Sequence, residues 1–260
     1  MTDPESRRDP WKEALNCYSD ISEEVVTVGQ SWEKEFKWSK IGKVFQEGFA
    51  ESKGNWVLHL AVDMFIHQDD IKKVYGCINK NPDIPALTLP KYKFFEPGRY
   101  EIKSFETVLL NKKKFPNIKF NGGGDKCLPT INNKVLNQTN TKILNVPIWN
   151  YDSTFRTKEI IAKDRARFAR AWFREFHNYG DRGGPSEDEA FHAWYEMVKL
   201  RYPFHANKVS LEKHPKYILD KLINIEDFEF GSNLFGLKNN VRFPFSNKLQ
   251  QQKIKLKYRI

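Results

Sequence analysis

The stretch from Lys158 to Arg201 narrows the possible folds more than any other part of the sequence. Ile161, Phe168, Trp172 and Phe176 recur at helical spacing over Lys158 to Asn178, and Gly180 is a natural C-terminal stop. Ser186-Glu187-Asp188-Glu189 then has the form of a capping box. The serine caps a backbone N–H, Glu189 reaches back, and the acids suit the helix dipole. The helix so begun carries Phe191, Trp194 and Val198 to about Arg201, and Pro203 stops it. Upstream the period is different. Leu58, Leu60, Val62, Met64 and Ile66 alternate with their neighbours, the pattern of a strand laid on a core. A helical pair joined to a strand-bearing half makes the expected fold class α+β.

Other elements follow from local signals. Pro10 opens a short helix from Trp11 to Tyr18, since a proline costs little in a first helical turn. Glu23 to Val28 is expected as a strand. Glu33 to Ser52 is expected as an amphipathic helix, with Phe36, Ile41, Val44, Phe45 and Phe49 on one side and Gly54 ending it. Lys73 to Ile78 is expected as a strand. Pro82, Pro85, Pro90 and Pro97 predict an irregular or edge-like stretch, followed by a strand from Tyr100 to Phe105. Residues 111–145 are rich in Asn, Lys, Thr and Gly. They are expected as loops with short strands at Asn117–Phe120 and Lys142–Val146 and a turn at Asn121 to Asp125. A helix is expected from Pro215 through Ile223, and residues 240–260 are expected as mixed strand and basic coil. The domain reading is an N-terminal arm over 1–20 and a single α+β domain over 21–260.

Composition excludes several classes. Forty per cent of the 260 residues are apolar and 14% aromatic, ample for a packed core. The net charge is +10, but the cations are dispersed among 33 acidic residues. The longest basic run is Lys112-Lys113-Lys114, too short for a nucleic-acid tail. Cys17, Cys77 and Cys127 form no CxxC pair, so neither a zinc cage nor a disulfide framework is indicated, and no cofactor is expected. The first residues hold no apolar signal region. The longest apolar stretch, Trp56 to Ile66, is interrupted by His59 and Asp63 and falls short of the ~20 residues that span a bilayer. The expectation is a protein that stays in the cytoplasm, away from membranes.

The sharpest catalytic pattern is Asp83 after Pro82, followed by Glu101-Ile102-Lys103. In a PD-(D/E)xK nuclease, two such carboxylates hold Mg²⁺ and the lysine polarises the attacking water or phosphate. Glu101 and Lys103 alternate on one expected strand and share a face, and Glu47 or Glu51 could add a carboxylate. The intervening prolines interrupt the hairpin that such sites use, so this reading is the runner-up. Gly122-Gly123-Gly124-Asp125 lacks the GK[ST] ending of a phosphate loop. The six histidines form no HExxH-type pair. Arg165, Arg167, Arg170 and Arg174, interleaved with Phe168, Trp172 and Phe176, fit either a basic partner-binding face or a core face beside a solvated one.

Several collinear stretches resemble the cypovirus polyhedrins, the insect-virus proteins that crystallise around virions inside the host cell. Met1-Thr2-Asp3 followed by Ser6-Arg7-Arg8-Asp9 and a helix is similar to the family's N-terminal arm. Ile78-Asn79-Lys80-Asn81 and the turn from Asn121 to Asp125 resemble family segments in the same order. So do Arg167-Phe168, Trp172, Glu175, Asn178 and Tyr179, then Asn239-Asn240 and Ser246-Asn247. The resemblance implies a β-sandwich-like core carrying several helices, with an arm helix whose Trp11, Leu15 and Tyr18 contact neighbouring copies. It implies a structural protein that self-assembles into a dense crystalline matrix in the host cytoplasm. Its partners are itself and virus particles, and alkali releases it. A nuclease using Asp83, Glu101 and Lys103 and a non-catalytic subunit of a large cellular assembly are the alternatives. Nucleic acid as a partner is left open.

Overall fold

The computed structural model describes residues 3–30, 32–33, 35–121 and 127–240. In its first half the elements are α1 (Trp11–Ile21), α2 (Lys40–Glu51), β1 (Val57–Leu58), β2 (Met64–Ile66), α3 (Ile71–Lys80), β3 (Ala86–Glu96) and β4 (Arg99–Leu110). Short strands follow: β5 (Lys119–Asn121), β6 (Leu128–Ile131), β7 (Lys134–Val135), β8 (Lys142–Ile143) and β9 (Ile148–Asn150). The helical half holds α4 (Lys158–Phe176), α5 (Glu187–Arg201), β10 (Asn207–Lys208), α6 (Leu219–Ile223), α7 (Phe230–Asn233) and α8 (Leu237–Asn240). The fold is α+β, as expected.

The spine is the β3–β4 hairpin, turned at Pro97-Gly98. On the outer edge of β4, β1 pairs at one end and β10 at the other, both antiparallel. On the outer edge of β3, β8 and β9 pair in parallel, and β2 lies antiparallel beyond β9. Register shifts after Leu87, Lys91 and Phe94 mark bulges in the hairpin, the feature that bends and twists strands. A second, three-stranded sheet runs β5-β6-β7 and packs beneath α2. Successive side chains of a strand point to opposite faces. Phe94 accordingly joins Ala14 and Cys17 of α1 and Ile218 and Leu222, while Phe95 joins Trp194 and Val198 of α5 and Phe230 of α7. Covered on both faces, β3 is buried along nearly its whole length.

The helical pair forms where the sequence places it. Thr157 caps α4, and Ser186 with Glu189 closes the capping box of α5. Helix α4 ends at His177, which takes the left-handed conformation (φ 56°), three residues before Gly180. Small side chains let the two helices approach at Ala166, Ala169 and Ala190. In the connection, Gly183 has φ 78°, and a Cβ there would stand 2.3 Å from the Glu189 carbonyl oxygen, so the turn requires glycine.

Five expectations need correction. Lys73 to Ile78 is helical, within α3. Ile71, Val74 and Ile78 share a side, and the His67 ring accepts from the Asp69 N–H just ahead of it. The alternation from Leu58 to Ile66 is not one strand. Its ends serve different partners, β1 on β4 and β2 on β9, and a turn closed by Met64 N–H to Ala61 O (2.9 Å) joins them. Glu23 to Val28 is irregular, and the helix expected from Glu33 starts only at Lys40. The proline-rich stretch, by contrast, is the central strand. Pro90 falls between the two parallel ladders, which engage Leu87–Thr88 and Lys91–Lys93, so neither ladder uses its missing N–H. The Gly122–Asp125 turn and most of the expected C-terminal coil lie outside the described residues.

Candidate functional site: a buried ion network beneath the N-terminal segment

The densest cluster of charge inside the fold joins the start of the chain to the sheet and to α4. Its hub is Arg156, in the tight connection between β9 and α4, with a side chain only 2% exposed. Its guanidinium donates to Asp9 (Nη2 2.6 Å, Nε 3.1 Å) and to Asp164 in the second turn of α4 (Nη1 3.1 Å), and pairs with Asp152 at 3.1 Å. Asp152 also takes Lys93 of β3 at 2.9 Å and Arg165 at 3.1 Å. Arg7 lies 3.3 Å from Asp9, and Asp63 lies close enough to feel Asp152 and Asp9. Four carboxylates therefore face four cations. The sequence folds this way because β9 ends at Asn150, Tyr151 to Arg156 turn sharply with every side chain buried except the half-buried Asp152, and Thr157 starts α4 at once.

The electrostatics follow from burial set against pairing. Burial opposes ionisation of Asp152, yet Lys93, Arg165 and Arg156 outweigh it and hold its carboxyl well below the usual range. Burial likewise opposes charge on Arg156, and Asp9, Asp152 and Asp164 overcome it, so the guanidinium pKa rises. Burial dominates at the edges of the network. It pushes Asp63 up to about 6, helped by Asp152 and Asp9, and pulls Lys93 down to about 7. Next to this cluster, Arg8 donates to Glu229 and Glu226 and so clasps the segment to the far end of the chain. The arrangement fastens residues 7–9 across β3, α4 and the stretch before α7.

The nuclease trio is not brought together. In the hairpin register Glu101 faces Lys93 and Leu110 faces Ala86, so Asp83 lies beyond the opposite end from Glu101. Nine residues of strand separate those ends, roughly 30 Å. Asp83 is exposed and pairs with Lys114, whereas Glu101 is buried, pairs with Arg201 of α5 and has His205 at 3.5 Å. Lys103 is half-buried on β4. The arginine stripe of α4 is engaged within the chain. Arg170 and Arg174 pair with Glu35, Arg167 donates to the Glu33 carbonyl (2.8 Å), and Arg165 belongs to the network. Trp11, Leu15 and Tyr18 sit on a helix packed on its own chain. Ala14 and Cys17 are in the core, and the Tyr18 hydroxyl donates to the Ala61 carbonyl (2.6 Å). Trp11 and Leu15 remain half-buried, the former donating to Glu5 (3.1 Å).

Three buried histidines, His59, His205 and His214, make the fold acid-sensitive. His214 Nε2 lies 2.9 Å from the Pro97 carbonyl, which can only accept, so Nδ1 accepts from the Tyr151 hydroxyl at 2.7 Å and the ring is neutral. Burial pulls His214 down to about 4 and, with Arg201 nearby, His205 down to about 3, from 6.5. Between those values the unfolded chain binds protons that the folded one refuses, so stability falls as pH drops below about 6.5. Asp63 acts in the opposite sense, because its raised pKa favours the folded state in acid. Burial also pulls His59 down to about 4, so three histidines against one carboxyl leave a net loss of about 4 kcal/mol between roughly pH 7 and pH 5. Urea unfolding at the two pH values should show it, and an unchanged midpoint would refute it.

Sequence reasoning passed over the network. Its available signals were Lys93 inside a largely apolar strand, and Asp152 and Arg156 in the short turn Tyr151 to Arg156. No protein-family model matches the sequence, and no curated protein matches it.

Proposed function

We propose that the chain is a structural protein that packs against copies of itself to form a dense matrix in the cytoplasm of a host cell, around virus particles. The observation that carries the reading is the placement of large apolar side chains on the surface of separate elements. Phe173 and Phe176 at the end of α4 are 40% and 44% exposed, Leu200 of α5 is 73%, Ile223 of α6 is 63%, and Phe228 is 53%. Side chains of this size, exposed on several elements, suit a molecule contacted from several sides rather than through one patch. The resemblance to polyhedrins points the same way.

The arm reading takes a specific form. Helix α1 rests on its own chain, and the stretch between Ile21 and Lys40, with no helix or strand among its described residues, is long enough to act as a hinge. Exchange of residues 1–20 between copies would reproduce the same contacts, including Asp9 to Arg156, across an interface. Simple deletion of the arm is a poor test, because it would uncover Phe65 and Trp149 in the core beneath it.

The test is assembly itself. Cells making the protein should contain micrometre crystals by electron microscopy, and the purified chain should scatter light at neutral pH. The double change Phe176→Glu, Leu200→Glu should abolish both while leaving the circular dichroism spectrum unchanged. A chain that stays monomeric and clear at high concentration sinks the proposal. Mg²⁺-dependent cleavage of DNA that is lost in Glu101→Ala would replace it with the nuclease reading, and co-purification in a fixed ratio with host proteins would replace it with the cellular-assembly reading.

A further inference from the structure

A cavity of about 810 Å³ lies between α1, α2, α3 and the irregular segment 22–30. That volume falls within the ~300–1,000 Å³ of ordinary small-molecule sites. Its wall is largely apolar, with Ile21, Val26, Val44, Phe45, Trp56 and Leu109 contributing. The charged residues on the wall are unequal in sign: Asp9, Glu23, Glu24 and Asp63 against Arg7 and Lys53. Arg7 and Asp9 are paired with one another, and Asp9 also with Arg156, which leaves Glu23, Glu24 and Asp63 against Lys53. Four buried polar atoms on lining residues have no hydrogen-bond partner, Asp63 Oδ1, His59 Nδ1, Trp32 Nε1 and Arg7 Nε, the last of which faces the Asp9 carboxylate at 3.3 Å. A buried carboxylate oxygen without a donor is costly, and a ligand that brings one removes the cost.

We propose that this cavity binds a cationic amphiphile, its alkyl chain along the apolar wall and its ammonium group on Asp63. The ammonium supplies up to three N–H donors and the positive charge that the lining lacks. The chain takes the volume between Phe45 of α2 and Val26 of the irregular segment. A carboxylate head would meet the same acidic surplus and be rejected, and a neutral alcohol would leave the charge unbalanced. The cavity is apart from Phe173, Phe176, Leu200, Ile223 and Phe228, and because an exchanged arm would rebuild the same wall, uptake does not depend on whether the chain assembles.

Uptake of dodecylamine, below its micelle-forming concentration, is measured by depletion from solution, which works for dissolved and particulate protein alike. The expected result is saturable uptake at one molecule per chain, with dodecanoate and dodecanol taken up at least about tenfold more weakly. Asp63→Asn should weaken amine uptake by at least about tenfold, because it keeps the shape and removes the charge. Gly48→Leu fills the space from α2. An ideal Cβ at Gly48 already stands 3.2 Å from Val28 Cγ2, and leucine favours the helix over glycine. This variant should abolish uptake while its thermal unfolding stays cooperative. Dodecanoate or dodecanol binding as tightly as the amine, amine uptake unchanged in both variants, or no saturable uptake of any of the three overturns the proposal.

Discussion

Replacing Arg156 with methionine is expected to cost the fold about 3–5 kcal/mol, the typical penalty for removing one partner of a buried ion pair. Here one guanidinium serves three carboxylates, Asp9, Asp152 and Asp164, and its own side chain is 2% exposed. Methionine fills much of the volume but leaves those charges without their hub, and Asp9 and Asp164 are themselves almost fully buried. Against a total stability of roughly 5–15 kcal/mol, a loss of this size places the variant near the unfolding threshold. The urea midpoint measures it directly. Adding Asp9→Asn and Asp164→Asn to the same chain should restore most of the loss, because the penalty is uncompensated charge rather than missing contact. A single variant within about 1 kcal/mol of the parent, or a triple variant no better than the single, would show that the network is not what holds residues 7–9 in place.

The proposed matrix should dissolve in alkali, sharply, between roughly pH 10 and 11. Thirty-one lysines and 12 arginines face 33 carboxylates at neutral pH. Deprotonation of the lysines near pH ~10.4 swings the formal charge from +10 to on the order of −20, and every copy then repels its neighbours. The structure assigns tyrosine a smaller share in this step than a count of ten tyrosines suggests. Burial raises the pKa of Tyr18, Tyr92, Tyr100, Tyr151, Tyr195, Tyr202 and Tyr217, so their ionisation lags. Converting lysines to homoarginines, which stay charged to higher pH, should therefore move the turbidity transition upward by at least about one pH unit. A solid that clears gradually from neutrality, one that persists above about pH 12, or a transition unmoved by the conversion would rule out lysine as the release.

Much of the helical half was legible in the sequence because its signals are local. The capping box at Ser186 and Glu189, the apolar period of α4 and the stop at Pro203 each act within a few residues. The strand half was harder, because what decides it is distant. Pro90 marks an edge by every local rule, yet it sits mid-sheet because β8 and β9, some fifty residues later, leave a gap opposite it. Lys73 to Ile78 can be written as strand or helix over so short a run, and the His67 turn ahead of it settles the matter. The ion network was invisible for the same reason. Asp9 and Arg156 stand 147 residues apart, and no pattern in either neighbourhood names the other.

The clasp of Arg8 on Glu229 has a consequence for the order of synthesis. The residues it joins are 221 positions apart, so the segment around Arg8 is made long before this partner exists. At about 5–20 residues per second, translation leaves that segment without its final partner for roughly 10–45 s. For part of that interval, until Arg156 and the Ile218 and Leu222 side chains that pack on α1 have emerged, Asp9 and the apolar side of α1 lack partners on every nascent chain, beside other chains on the same message. Neighbouring polysomal chains thus meet while their leading helices are still unclaimed, and whether each helix closes on its own chain or on the next becomes a contest between elongation rate and local concentration.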